Sequence, residues 1–129
     1  MTTELLMLAL SVVLGFLHII AAVIAATQQY GSEWNLSPRD AQMPPLAPLA
    51  GRLQRASHNF FETFPLFAAV VLIADAVNRH GPLAVWGSEL YFVGRVIYLP
   101  LYAAGIPLAR TAVWTGASIG ILMVLIALF

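Results

Sequence analysis

The chain of 129 residues has no cysteine and no lysine, and charged residues make up only 9% of it. Without cysteine there are no disulfides, thiolate metal sites, haem attachment or cysteine nucleophile, so any thiol chemistry must come from a ligand. Six arginines balance six acidic residues to a formal net charge of zero. No basic surplus exists to neutralise phosphates, which removes the electrostatic case for nucleic-acid binding. Soluble domains carry roughly 25% charged residues. A chain that is 60% hydrophobic and so sparsely charged fits one domain embedded in a membrane.

Four apolar stretches divide the sequence, with approximate spans 5–26, 52–78, 83–104 and 111–129. The first is interrupted only by Ser11 and His18 and has the length of about 20 residues that crosses a bilayer as a helix. A secretory signal peptide is the competing reading. It is disfavoured because Glu4 stands where a basic n-region is expected and the apolar run exceeds an h-region. The segment 27–51 carries Gly31, Pro38, Pro44, Pro45 and Pro48, a proline density that marks a loop. Arg79-His80-Gly81-Pro82 and Gly105-Ile106-Pro107 are short turns that make successive helices antiparallel. The expected fold is all-α, an integral membrane up-down four-helix bundle forming a single domain.

Orientation follows from the arginines. Arg39, Arg52, Arg55 and Arg110 belong to one side and Arg79 to the other. Positive charge collects in the cytoplasm, so the long first loop is expected there and both termini outside.

Charged residues within spans are costly and ask for a reason. In the second span Arg52, Arg55, Asn59 and Glu62 follow i, i+3, i+7 and i+10, which stacks them on one helical face with His58 at its edge. In the third, Tyr91, Arg95, Tyr98 and Tyr102 form a comparable stripe. Gly87, Gly94 and Gly105 lie beside it, where another helix or a ligand can approach. Pro100 and Pro65 are candidate kink positions. The plain structural alternatives are a buried Glu62–Arg95 ion pair and an interfacial tyrosine belt. Elsewhere, Asp75 and Arg79 are spaced as an i, i+4 pair. Glu89 is read as interfacial or an interhelical partner, and His18 as a satisfied interior histidine. No metal-ligand spacing, Gly-rich phosphate loop or nucleophile elbow is present.

These stripes resemble the MAPEG family, membrane-associated proteins in eicosanoid and glutathione metabolism, in its bacterial-type members. Arg55-Ala-Ser-His-Asn59-Phe-Phe-Glu62 is similar to the family's R-x-x-x-N-x-x-E pattern. Arg95-Val-Ile-Tyr98-Leu-Pro-Leu-Tyr102 resembles R-x-x-[HY]-x-x-x-Y, and Arg110-Thr111 resembles an Arg-Ser position opening the fourth span. Three departures accompany the match. His58 stands where several members have arginine, Trp114 where some have tyrosine, and Gln28 and Gln29 where some have a basic residue.

The resemblance implies a homotrimer binding glutathione as co-substrate between subunits, with a lipophilic electrophile or lipid arriving from the bilayer. It implies Arg55 and Arg95 for carboxylates, Glu62 for the ammonium, Asn59 for the peptide, and Tyr98 and Tyr102 for orientation. His58 joins that binding set, and Arg110, with Thr111 nearby, would stabilise the thiolate. The implied activity is a membrane-bound glutathione transferase or peroxidase, in the inner (cell) membrane if the source is bacterial. A non-catalytic lipid-binding or scaffolding member is the alternative, followed by a small four-span exporter.

Overall fold

The computed structural model describes residues 1–129 and is entirely helical. Helix α1 covers Thr3–Tyr30, the short α2 Ser32–Leu36, α3 Pro48–Ala76, α4 Pro82–Ala104 and α5 Pro107–Ile126. The starts follow local chemistry. The Thr2 hydroxyl accepts from the Leu5 amide at 3.3 Å to cap α1. Helices α3, α4 and α5 all begin with proline, whose missing N–H is no loss in a first turn. For this reason α5 opens at Pro107 rather than at Thr111, and α3 at Pro48 rather than at residue 52.

Two helix ends are closed by the same device. Gly105 takes a left-handed φ of 76°, and the Ile106 amide bonds to the Leu101 carbonyl. At the end of α3 the left-handed residue is Asn78, with φ 55°, and the Arg79 amide returns to the Ala74 carbonyl. This ending corrects the expected Asp75–Arg79 pair. The helix stops at Ala76, so Arg79 is off the helical register and makes no ion pair. His80 takes its place, with Nε2 3.8 Å from the Asp75 carboxylate and Nδ1 3.4 Å from that of Glu4. The ring therefore joins the α3–α4 turn to the first turn of α1, where Glu4 is buried.

Contacts fix the helix directions. Glu4 meets His80 at one end of α1. At the other, Gln29 donates to the Pro45 carbonyl at 3.0 Å and accepts from the Ala47 amide at 2.7 Å. Helices α1 and α3 are therefore antiparallel. Arg55 reaches Tyr102 and Thr63 reaches Tyr91, so α3 and α4 are antiparallel too. Gly94 lies against Ala117 and Gly87 against Gly120, which sets α4 and α5 the same way. The segment between α1 and α3 is a loop with one short helix. It is held by Gln29 and by the Tyr30 hydroxyl, which donates to the Pro44 carbonyl.

A core of Phe67, Val70, Val71, Ala74, Tyr91, Ala117, Ile121 and Val124 joins α3, α4 and α5, with the Phe67 and Tyr91 rings stacked at 3.9 Å. Large apolar side chains such as Phe16, Leu17, Ile20, Leu66, Val93 and Leu122 point outward. That distribution is unfavourable in water and suited to lipid. Helices α1, α3 and α5 are long and apolar enough to cross a membrane. The protein is a multi-pass integral membrane protein.

The closest backbone approach is between α4 and α5. A Cβ at Gly120 would stand 2.5 Å from the Gly87 carbonyl oxygen and 2.8 Å from the Tyr91 amide nitrogen. One at Gly116 would meet nothing within 4 Å. Gly120→Ala should therefore lower the melting midpoint in detergent, at an overpacking cost of about 1–3 kcal/mol. Gly116→Ala should raise it, by up to about 1 kcal/mol of helix propensity. A thermal melt of the two variants compares the signs.

Candidate functional site

The polar stripes meet at the end of the bundle where α1 finishes and α3 begins. Helix α4 forms the floor of an open cleft, and α3 and α5 form its walls. Arg55, His58, Asn59 and Glu62 come from α3, Tyr98 and Tyr102 from α4, and Arg110, Thr111 and Trp114 from α5. The cleft has a volume of about 460 Å³, within the roughly 300–1,000 Å³ of small-molecule sites. Every residue singled out for the site lines it except Arg95.

Arg95 lies behind the floor and is fully buried. Its Nη1 donates to Asn59 Oδ1 at 2.9 Å, and its guanidinium carbon sits 4.7 Å from the Tyr98 ring centre. Asn59 Nδ2 in turn donates to Glu62 Oε2 at 3.4 Å. The direct Glu62–Arg95 ion pair weighed from the sequence is not formed. The Asn59 amide stands between the two charges, and only its carbonyl and amino ends together can satisfy a cation on one side and an anion on the other. Glu62 remains exposed and open to a ligand.

Tyr102 organises the opposite corner. Its hydroxyl accepts from Arg55 Nε at 3.3 Å, while the Arg110 guanidinium lies 4.5 Å from its ring centre. Tyr98 packs edge-on against it at 5.5 Å. One phenol thus holds a cation at its rim and another over its face, leaving most N–H donors of both arginines free. All ion-pair contacts of the chain are made by His80 at the far end. Arg55, Glu62 and Arg110 are therefore not neutralised within the chain.

Four more residues bear on the cleft, of which the sequence offered Trp114, Gln29 and Thr111 through the family resemblance. Trp114 follows Arg110 by four residues on α5, so it shares that face and lines the cleft; its i, i+4 spacing is a second signal. Gln29 is committed to the loop backbone and does not reach the cleft. Thr111 is in the lining, but its hydroxyl donates to the Pro107 carbonyl at 3.0 Å. Oxygen lone pairs remain for a ligand. Arg52 packs its guanidinium against Gly105, where a Cβ would meet Nη1 at 2.8 Å, and so locks the end of α4.

An all-helical membrane protein with a two-signed polar cleft at one end of its bundle is the class these features define. The chain belongs to the MAPEG family, whose sequence model matches residues 7–129. A search of curated proteins finds no match.

Because Asn59 is the sole hydrogen-bond partner of the buried Arg95, its loss should be felt in stability. Asn59→Ala is expected to cost about 1.5–3 kcal/mol, the range for hydrogen bonds to charged groups. Glu62→Gln, on the exposed side of the same relay, should change stability by less than about 0.5 kcal/mol. Melting midpoints in one detergent distinguish the two.

Proposed function

We propose that the protein is a membrane-bound glutathione-dependent transferase or peroxidase acting on a lipophilic electrophile. The observation that carries this reading is the gathering of Arg55, Glu62 and Arg110 in one cleft without mutual neutralisation. Glutathione presents two carboxylates, an ammonium and a thiol, and so needs cations and an anion held apart in one place. Arg55 binds a carboxylate and Glu62 the ammonium. Asn59 bonds the peptide portion, with Arg95 behind it adding positive potential and fixing the amide. His58 extends the carboxylate end, and Tyr98 and Tyr102 orient the backbone of the tripeptide.

Arg110 stabilises the thiolate. A free cysteine thiol has a pKa of about 8.5, so a neighbouring guanidinium raises the reactive fraction at neutral pH. The thiolate sulfur then forms a C–S bond as a halide leaves with its electron pair. With a lipid hydroperoxide it forms an S–O bond as the O–O bond breaks, the alkoxide leaves and is protonated to the alcohol, and a second glutathione converts the sulfenic acid to the disulfide and water. Trp114 and the apolar outer faces of α4 and α5 offer a lipophilic co-substrate a path from the bilayer.

In the same reading α4 is a fourth span, since its length of 23 residues suffices. The arginine-rich end, with the long connection 31–47, faces the cytoplasm. The open cleft is completed by a neighbouring subunit in a homotrimer. A non-catalytic lipid-binding member would lack the thiolate, which gives the discriminating measurement.

Purified protein should show the ultraviolet thiolate band when saturated with glutathione, and turnover with an aryl halide or a lipid hydroperoxide. Arg110→Ala should lose the band and lower kcat by roughly 100-fold, the scale for removing one preorganised charge-stabilising donor. Absence of turnover above background, together with no thermal stabilisation by glutathione, would sink the enzyme reading. Native mass spectrometry with and without glutathione reports the subunit number.

A further inference from the structure

Helix α1 carries a polar stripe that the cleft does not use. Glu4, Ser11 and His18 are spaced by seven residues, so they share one face, and all three are buried. Glu4 meets His80, and Ser11 Oγ returns to the Met7 carbonyl at 2.7 Å. His18 alone has no hydrogen-bond partner on either ring nitrogen. It is fully buried, so the interior position expected of it is correct, but hydrogen bonding within the chain does not satisfy it.

Its surroundings point to Arg95. The His18 ring stacks on Phe60 at 4.8 Å, and the Arg95 guanidinium carbon lies 5.2 Å from the centre of that same ring. Arg95 Nε and Nη2 are buried donors without a partner in the protein. A buried cation with two spare donors and a buried imidazole with a lone pair to offer are therefore assembled on one phenylalanine. Buried polar groups are almost always hydrogen-bonded, directly or through water.

We infer that His18 is a positioning residue for the cleft: its imidazole accepts from Arg95, directly or across one water. Arg95 in turn orients Asn59. The inference rests on the glutathione reading for its functional consequence, while the His18–Arg95 link is independent of it. The residue type fits the task. A neutral imidazole supplies an acceptor lone pair and leaves the guanidinium charge uncancelled. An acid at position 18 would cancel the positive potential that Arg95 lends to the carboxylate end. An aliphatic or phenyl ring would leave the two donors unmet, and Arg95 would swing toward other acceptors, taking Asn59 with it.

The competing role is space-filling on Phe60, and His18→Phe separates the two because it keeps a stacking ring without the nitrogens. Glutathione affinity is read by titrating the thiolate band. His18→Phe should raise Kd about tenfold, on the scale of one hydrogen bond to a charged group. The thiolate signal per bound glutathione should not change at saturation, since Arg110 is untouched. His18→Gln, which retains an acceptor, should stay within about threefold of the parent. Parent-like affinity in His18→Phe, or an equal loss in His18→Gln, would overturn the assignment.

A second measurement needs no glutathione. The melting midpoints of His18→Phe, Arg95→Met and the double variant form a cycle, with Arg95→Lys substituted if Arg95→Met does not fold. Non-additive shifts are expected, and additive ones would overturn the link. If the parent binds no glutathione yet the cycle is non-additive, the His18–Arg95 link stands and the glutathione reading is what has failed.

Discussion

A guanidinium sealed inside a lipid-facing bundle dictates most of what surrounds it. Arg95 cannot be solvated from the bilayer, so its neighbours must provide what water would. Asn59 supplies a carbonyl oxygen, Tyr98 and Phe60 supply ring faces, and His18 stacks on Phe60. These neighbours come from α1, α3 and α4, so one charge gathers side chains of three helices at the same depth. The polar stripe of α3 is then anchored from behind. Asn59 faces Arg95 with one end and Glu62 with the other, and the cleft inherits that alignment.

The remaining charges separate by position. At the end where α3 turns into α4, His80 gathers Glu4 and Asp75, and these acids are consumed in holding helices together. At the opposite end Arg55, Glu62 and Arg110 are held by phenol and amide groups rather than by each other. The difference is chemical. A tyrosine can fix a guanidinium at its rim or over its face without cancelling its charge, whereas a carboxylate at contact distance would. Tyr102 does both, for Arg55 and for Arg110, and so leaves two cations uncancelled in a chain that has only six.

Much of this was legible in the sequence. The spacing of Arg55, Asn59 and Glu62 and of Arg95, Tyr98 and Tyr102 places each set on one helical face, and two turns of glycine and proline force antiparallel neighbours. The family assignment follows those same residues. What was not legible depends on where helices stop and on depth. An i, i+4 rule pairs Asp75 with Arg79 only if the helix continues, and the left-handed Asn78 ends it first. Periodicity puts Arg95 on the stripe but cannot say that it lies beneath the cleft floor rather than in the lining. Glu4 in the sequence argues only against a signal peptide, because its burial and its contact with His80 depend on a residue far away in sequence. Gln29 reads as a polar remnant of a binding position, and only the fold of the loop shows it bonded to Pro45 and Ala47.

The cleft itself is a consequence of unequal helix spacing. Gly87 and Gly120 bring the backbones of α4 and α5 into contact, and Gly94 meets Ala117 one stretch further along. Helix α3 has no such glycine seam with α4. It meets α4 through bulkier partners, with Phe67 on Tyr91 and Thr63 near the Tyr91 hydroxyl. A close pair beside a wider one leaves α3 and α5 apart above α4, and the gap opens where the side chains on all three become polar. Small residues thus determine how near α5 can come, aromatic residues how far α3 is held off, and the difference between them is the width available to a ligand. Because α5 is drawn in so tightly, Arg110 in its first turns is carried over Tyr102 instead of out into lipid.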